Sequence, residues 1–162
     1  MNLHAKAVVT ASTLLLCVFQ IWPNFAAAQA TAPARDFHIE GLDPGVRLFV
    51  REKMAQGARP TDDNVVIFIF GATGPSTCDF DLGYKDYSWA DWMVAKDYVV
   101  YMFDKRNYGG SSREKAMDEP ASNNKPASRS YLVIRDISAV VDYARKKNNV
   151  NKVTLIGWSW GR

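Results

Sequence analysis

Near its end the chain reads Gly157-Trp158-Ser159-Trp160-Gly161, directly after the apolar run Val153 to Ile156. An isolated serine hydroxyl is a poor nucleophile, so catalysis must both expose it and help remove its proton. A G-x-S-x-G segment that follows a buried strand supplies the exposure. The chain turns sharply from strand into helix, and the serine stands at the apex in a strained backbone conformation. Gly157 and Gly161 are small because the chain is crowded on both sides of that turn. In this geometry the N–H of Trp160 points to where a carbonyl oxygen becomes negative under attack, and a second N–H must come from the loop after an earlier strand. The chemistry implied is attack of Ser159 on an acyl carbon. The bland alternative is a glycine-flanked turn with a hydroxyl cap.

The elements that must position this serine are legible upstream. "FHIEGLDPGVRLFVREK" reads as two strands joined by a turn at Asp43-Pro44-Gly45. Val65–Phe70 is apolar on both faces, as an inner strand of a parallel sheet requires. A Gly/Pro/Thr-rich loop follows, then a helix start at Ser88 with Asp91 three residues on and Trp89, Trp92 and Met93 as the apolar stripe. Tyr98–Phe103 is a second buried strand, ending at Asp104, and "KRNYGGSSREKAMDEPASNNKPAS" is a long polar loop. Leu132 to Lys147 has helical spacing, with Val133, Ile134, Ile137, Val140, Val141 and Ala144 on one face and Arg135, Asp136, Asp142 and Arg145 on the other. "KVTLI" is the third buried strand. The fold class is therefore α/β: an N-terminal β-hairpin, then a mostly parallel sheet with flanking helices.

On these residues the sequence resembles the α/β-hydrolase fold superfamily, over about Phe37 to Arg162. Members carry an oxyanion segment after the third strand, an Asp-x-x-Gly-x-Gly-x-Ser loop after the fourth and a serine elbow after the fifth. The matching stretches here are "FGATG", "DKRNYGGSS" and "GWSWG". The resemblance implies Ser159 as nucleophile, Trp160 and Ala72 as donors of the oxyanion-hole N–H groups, and an ester or amide as the small-molecule substrate. It implies neither cofactor nor metal. Phe70 stands where the family often has a loop-ordering histidine. Asn107 stands where glycine is usual, and asparagine tolerates the left-handed conformation such a site demands.

The serine also needs a base, and the base a carboxylate to orient it; in this fold both follow the elbow. The sequence holds two histidines, His4 and His38, and only Trp160, Gly161 and Arg162 come after Ser159. The 162-residue chain is thus expected to be the N-terminal part of a serine hydrolase domain (31–162), truncated at its nucleophile elbow, inactive alone and marginally stable, with "KVTLI" left as an open apolar edge.

Residues 1–30 read separately, as a secretory signal peptide: Lys6, an apolar stretch from Ala7 to Trp22, then "PNFAAAQA" with small-x-small cleavage sites at Ala26-Ala28 and Ala28-Ala30. The run is shorter than a spanning helix and diluted by Thr10, Ser12, Thr13 and Gln20. The product is expected to be exported, periplasmic or secreted, with no stable membrane anchor. Cys17 leaves with the signal, so Cys78 remains alone and forms no internal disulfide. A net charge of +3 without like-charge runs gives no nucleic-acid surface. Two other classes stand beside the enzyme. One is a non-catalytic remnant or binding module. The other is a dinucleotide-binding oxidoreductase, suggested by Gly71-Ala72-Thr73-Gly74 after a buried strand with Asp104 closing the next. It fails in detail: the third glycine would fall at Thr77, Pro75 interrupts the turn, and a hairpin precedes the fingerprint strand.

Overall fold

The computed structural model describes residues 32–161; the expected signal peptide and its cleavage sites lie outside them. Five strands form one sheet in the order β1-β2-β4-β3-β5: β1 (Ala34–Glu40), β2 (Arg47–Lys53), β3 (Val65–Ile69), β4 (Val99–Phe103) and β5 (Thr154–Gly157). The hairpin β1–β2 and the β2–β4 pair are antiparallel, whereas β3 runs parallel to both β4 and β5.

Every residue of β3 and β4 is buried, because helices cover both faces. Val65, Ile67, Ile69, Val99, Tyr101 and Phe103 point to one side, where Ala139, Val140 and Ala144 of α3 (Ser130–Asn148) pack on them. Val66, Phe68, Val100 and Met102 point to the other, beneath Phe80 of α1 (Thr77–Phe80) and Ala90, Met93 and Val94 of α2 (Trp89–Val94). Strands with two buried faces lose the period-2 alternation and read as continuous apolar runs.

α2 begins where its capping signal places it. Ser88 is extended, and its hydroxyl accepts from the Asp91 N–H at 3.0 Å. The same hydroxyl donates to Asp81 at 2.8 Å. Ser88→Ala is expected to lower stability by about 1 kcal/mol or slightly more, measured as a lower urea midpoint with an unchanged slope.

The helix faces differ from expectation in two places. On α2 the buried face is Ala90, Asp91, Met93 and Val94, while Trp89 and Trp92 are exposed. Asp91 goes inward because it meets the buried Lys53 ammonium at 2.6 Å. On α3, Ile134 is exposed and Asp136, assigned to the polar face, is fully buried against Arg106. A carboxylate with a guanidinium partner satisfies a core position that a hydropathy pattern reserves for an apolar residue.

The stretch from Lys105 is not uniformly a solvated loop either: Asp104, Lys105, Arg106, Asn107 and Ser111 are all buried. Asp104 binds the loops after β3 and β4 together, accepting from the Ser76 N–H at 2.8 Å and the Gly110 N–H at 2.9 Å. Asn107 adopts φ +74, as glycine's replacement must, and its amide holds Glu114 and Ser128.

β5 departs from the expected buried strand. Thr154, Leu155 and Gly157 are exposed and Ile156 half-buried, since only β3 pairs with it among the described residues. Its open flank is the apolar edge anticipated from the sequence. Among the described residues, no helix is long and apolar enough to cross a membrane.

Candidate active site

β5 ends at Gly157, paired with Ile69 at the end of β3. The Trp158 N–H donates to the Ile69 carbonyl at 3.0 Å, extending the ladder one step. The chain then reverses into a 3₁₀ turn, Ser159–Gly161, closed by the Gly161 N–H donating to the Trp158 carbonyl at 2.9 Å. Ser159 takes φ +56 and is exposed. A serine held in left-handed backbone by its surroundings costs of the order of 1–3 kcal/mol, and such strain gathers at functional sites. The strained apex expected from the G-x-S-x-G spacing is therefore present.

Two close approaches enforce it. A Cβ on Gly161 would lie 2.3 Å from the Ile69 carbonyl oxygen and 3.0 Å from that of Phe70. Both are backbone atoms and cannot swing aside. Gly161→Ala is therefore expected to push the turn off β3 and to destabilise by more than the 1–3 kcal/mol or so of ordinary overpacking, read from the chemical denaturation midpoint. The second approach comes from the loop after β3. A Cβ on Gly71 would lie 2.8 Å from Ser159 Cβ and 3.1 Å from its Oγ. Ala72, the expected second donor, follows Gly71 in this loop and is exposed. Thr73 next to it holds φ +75, an outlier for a β-branched residue. Thr73 and Ser159 thus place a positive φ on each of the two segments that meet at Ser159.

Trp160 lies beside the Lys105 ammonium, its ring centroid 5.2 Å from Nζ. Trp158 is 60% exposed and does not line the site as an apolar wall. An apolar cavity of about 610 Å³ borders Ser159 on the α3 side, walled by Ile69, Val133, Ile134, Ile137, Leu155 and Trp160.

His38 does not join this group. It sits on β1, and its Nε2 is 2.9 Å from the Gly110 carbonyl. β1 and β5 are the opposite edges of the described sheet. Four strand spacings of about 4.8 Å separate them by roughly 19 Å, far beyond proton-transfer reach. Cys78 is free and exposed.

Sequence reasoning missed Lys105. Its ammonium is buried and donates to the Phe70 carbonyl at 2.6 Å and to that of Gly71. Burial pushes its pKa down to about 8, against the pull of Asp104 and Asp136. The available signal was a lysine at the C-terminal end of a wholly apolar inner strand, where the chain is still inside the sheet's helical layers.

Residues 64–161 match the family described as alpha/beta hydrolase fold. Among solved structures, the chain is similar to the Pyrococcus furiosus esterase Pf2001, with 20% identity over 80% of this chain and 44% of that one and a TM-score of 0.57. It is similar to epoxide hydrolase A from Mycobacterium thermoresistibile, with 23% identity over 80% and 32% of the two chains and a TM-score of 0.53. A cold-adapted esterase from an Arctic intertidal metagenomic library gives 16% identity, coverage of 82% and 53%, and a TM-score of 0.57. At these identities the likeness is one of fold. The chain spans less than half the length of the first of these structures. No curated protein sequence matches it significantly.

Proposed function

The chain belongs to the α/β-hydrolase fold family, and from that premise we propose that it is part of a serine hydrolase that cleaves esters or amides through an acyl-Ser159 intermediate. One observation carries the reading: Ser159 stands exposed at φ +56 on a strand-to-turn apex, with Gly161 and Gly71 packed too closely for any side chain. Ser159 Oγ attacks the acyl carbon, and the carbonyl oxygen becomes negative between the N–H groups of Trp160 and Ala72. The alcohol or amine leaves, and water releases the acid from the serine. Removing the hydroxyl proton requires a base. His38 is on the wrong edge of the sheet, so no histidine among the described residues reaches Ser159. The 162-residue chain alone is proposed to be inactive, and residues 1–30 to export it to the periplasm or medium.

The test is to read the coding DNA past codon 162 and express any longer frame. The expected result is a downstream Asp or Glu, a later His, and turnover of a 4-nitrophenyl ester. A frame that supplies neither, with no turnover, favours the non-catalytic remnant.

A further inference from the structure

Lys105 carries a charge into the interior with no carboxylate in contact among the described residues. It is 2% exposed, and its hydrogen bonds go to two backbone carbonyls, those of Phe70 and Gly71, both in the loop that touches Ser159. The rings of Trp160 and Tyr108 lie over it at 5.2 and 5.8 Å, placing the cation against π faces that attract it. A buried ammonium costs several kcal/mol to desolvate, and nothing described in the sheet core uses it. What it does is hold two successive peptide units, Phe70-Gly71 and Gly71-Ala72. In a trans peptide the C=O and the following N–H point in opposite directions, so turning the Gly71 carbonyl toward Lys105 turns the Ala72 N–H away from it. That peptide lies against Ser159, since a Cβ on Gly71 would meet Ser159 at 2.8 Å.

We propose that Lys105 is a positioning residue: its grip on the Phe70 and Gly71 carbonyls fixes the Ala72 N–H beside Ser159 as an oxyanion donor. The proposal rests on the acyl-serine reading above. It also accounts for Phe70, which occupies the place of a loop-ordering histidine: its ring packs on Phe80 and against Gly74 and carries no polar group to hold the Gly71 peptide. The ordering group comes from the end of β4 instead. Through its ring contact with Trp160, the same ammonium touches both halves of the oxyanion site. The charged groups acting on it are Asp104 beside it and Asp136 on α3, the latter held by Arg106. The β3 loop faces it with carbonyls.

The experiment needs no histidine. In the 162-residue chain carrying Ser159→Cys, the thiolate introduced at the elbow attacks 4-nitrophenyl acetate, forming the C–S bond and expelling 4-nitrophenolate through an oxyanion. Iodoacetamide alkylates the same thiolate without one. Cys78, free and exposed, is the internal standard for both reagents, and peptide mass spectrometry reads each thiol separately. The acylation-to-alkylation ratio of the elbow thiol, relative to Cys78, is expected to be raised about 10- to 100-fold by the oxyanion donors. Lys105→Met is expected to remove most of that advantage while alkylation is unchanged. With Lys105 in place, the advantage is expected to fall as pH rises through about 8, where the ammonium loses its proton. This second reading decides the matter if the methionine variant fails to fold. An advantage that persists in Lys105→Met, or is flat from about pH 7 to 9.5 with Lys105 in place, overturns the role of Lys105 alone. A ratio near one with Lys105 present overturns the oxyanion site, and the acyl-serine reading with it.

Discussion

Replacing Ser159 by alanine in the form of the protein that carries its base and acid is expected to reduce kcat on a 4-nitrophenyl ester by about 10⁴- to 10⁶-fold. The size follows from what the turn is for. Ser159 is exposed at φ +56 with no described element relying on its hydroxyl, so alanine keeps the same backbone and the same pair of N–H donors. KM and thermal stability are therefore expected to change little, because removing a nucleophile deletes a group used on the way to the transition state, not in binding. Residual turnover above the uncatalysed rate would come from the oxyanion donors and the cavity bordering the turn. A loss of less than about tenfold would mean that another group attacks the substrate, and the acyl-serine reading would go. Gly161→Ala instead attacks the scaffold, so activity and denaturation midpoint are expected to fall together. Comparing the two variants separates chemistry from architecture.

Asp136→Ala is expected to cost about 3–5 kcal/mol of stability. Asp136 is 0% and Arg106 3% exposed. The guanidinium reaches the carboxylate through Nε and Nη2 at 2.9 and 2.6 Å, and the Arg106 N–H adds a bond at 3.0 Å. Alanine leaves a buried cation with one remaining carboxylate, that of Asp43 at 2.6 Å in the β1–β2 turn, together with an unpaired backbone N–H. Arg106 in turn holds the Asp43 carboxyl below its ordinary pKa range, so near neutral pH Asp43 stays charged and remains a partner to the guanidinium. The check is equilibrium unfolding in urea. The double variant Arg106→Met with Asp136→Leu is expected to recover most of the loss, since apolar groups of matching volume often replace a buried pair without penalty. Equal damage from the double variant would assign the effect to packing instead.

How far the sequence reaches into this structure depends on what covers each element. β3 and β4 were legible because helices bury both their faces and force unbroken apolar runs. The hairpin was legible from the Asp43-Pro44-Gly45 turn between two strand-like runs. The elbow was legible because Gly161 and Ser159 answer to backbone geometry, and backbone geometry leaves its mark in residue type. Faces settled by ion pairs were not legible. Asp91 and Asp136 point inward only because Lys53 and Arg106, distant in the chain, wait there. For the same reason "KRN" looked like the start of a polar loop, although Lys105 holds the loop after β3, Arg106 holds α3 through Asp136, and Asn107 holds the loop after β4. β5 was misjudged by pattern: Leu155 and Ile156 are suited to burial, yet the strand has a described neighbour on one side only.

The segments around Ser159 come from three places far apart in sequence, the ends of β3, β4 and β5, and strain of this kind lasts only while its neighbours impose it. During synthesis the first four strands emerge before β5 exists, so for that interval the loop after β3 has no partner to press against. Long-range pairings of this kind form late because chain closure must come first. The exposed Ser159 turn thus takes shape only once β5 docks on β3, after the first four strands have emerged.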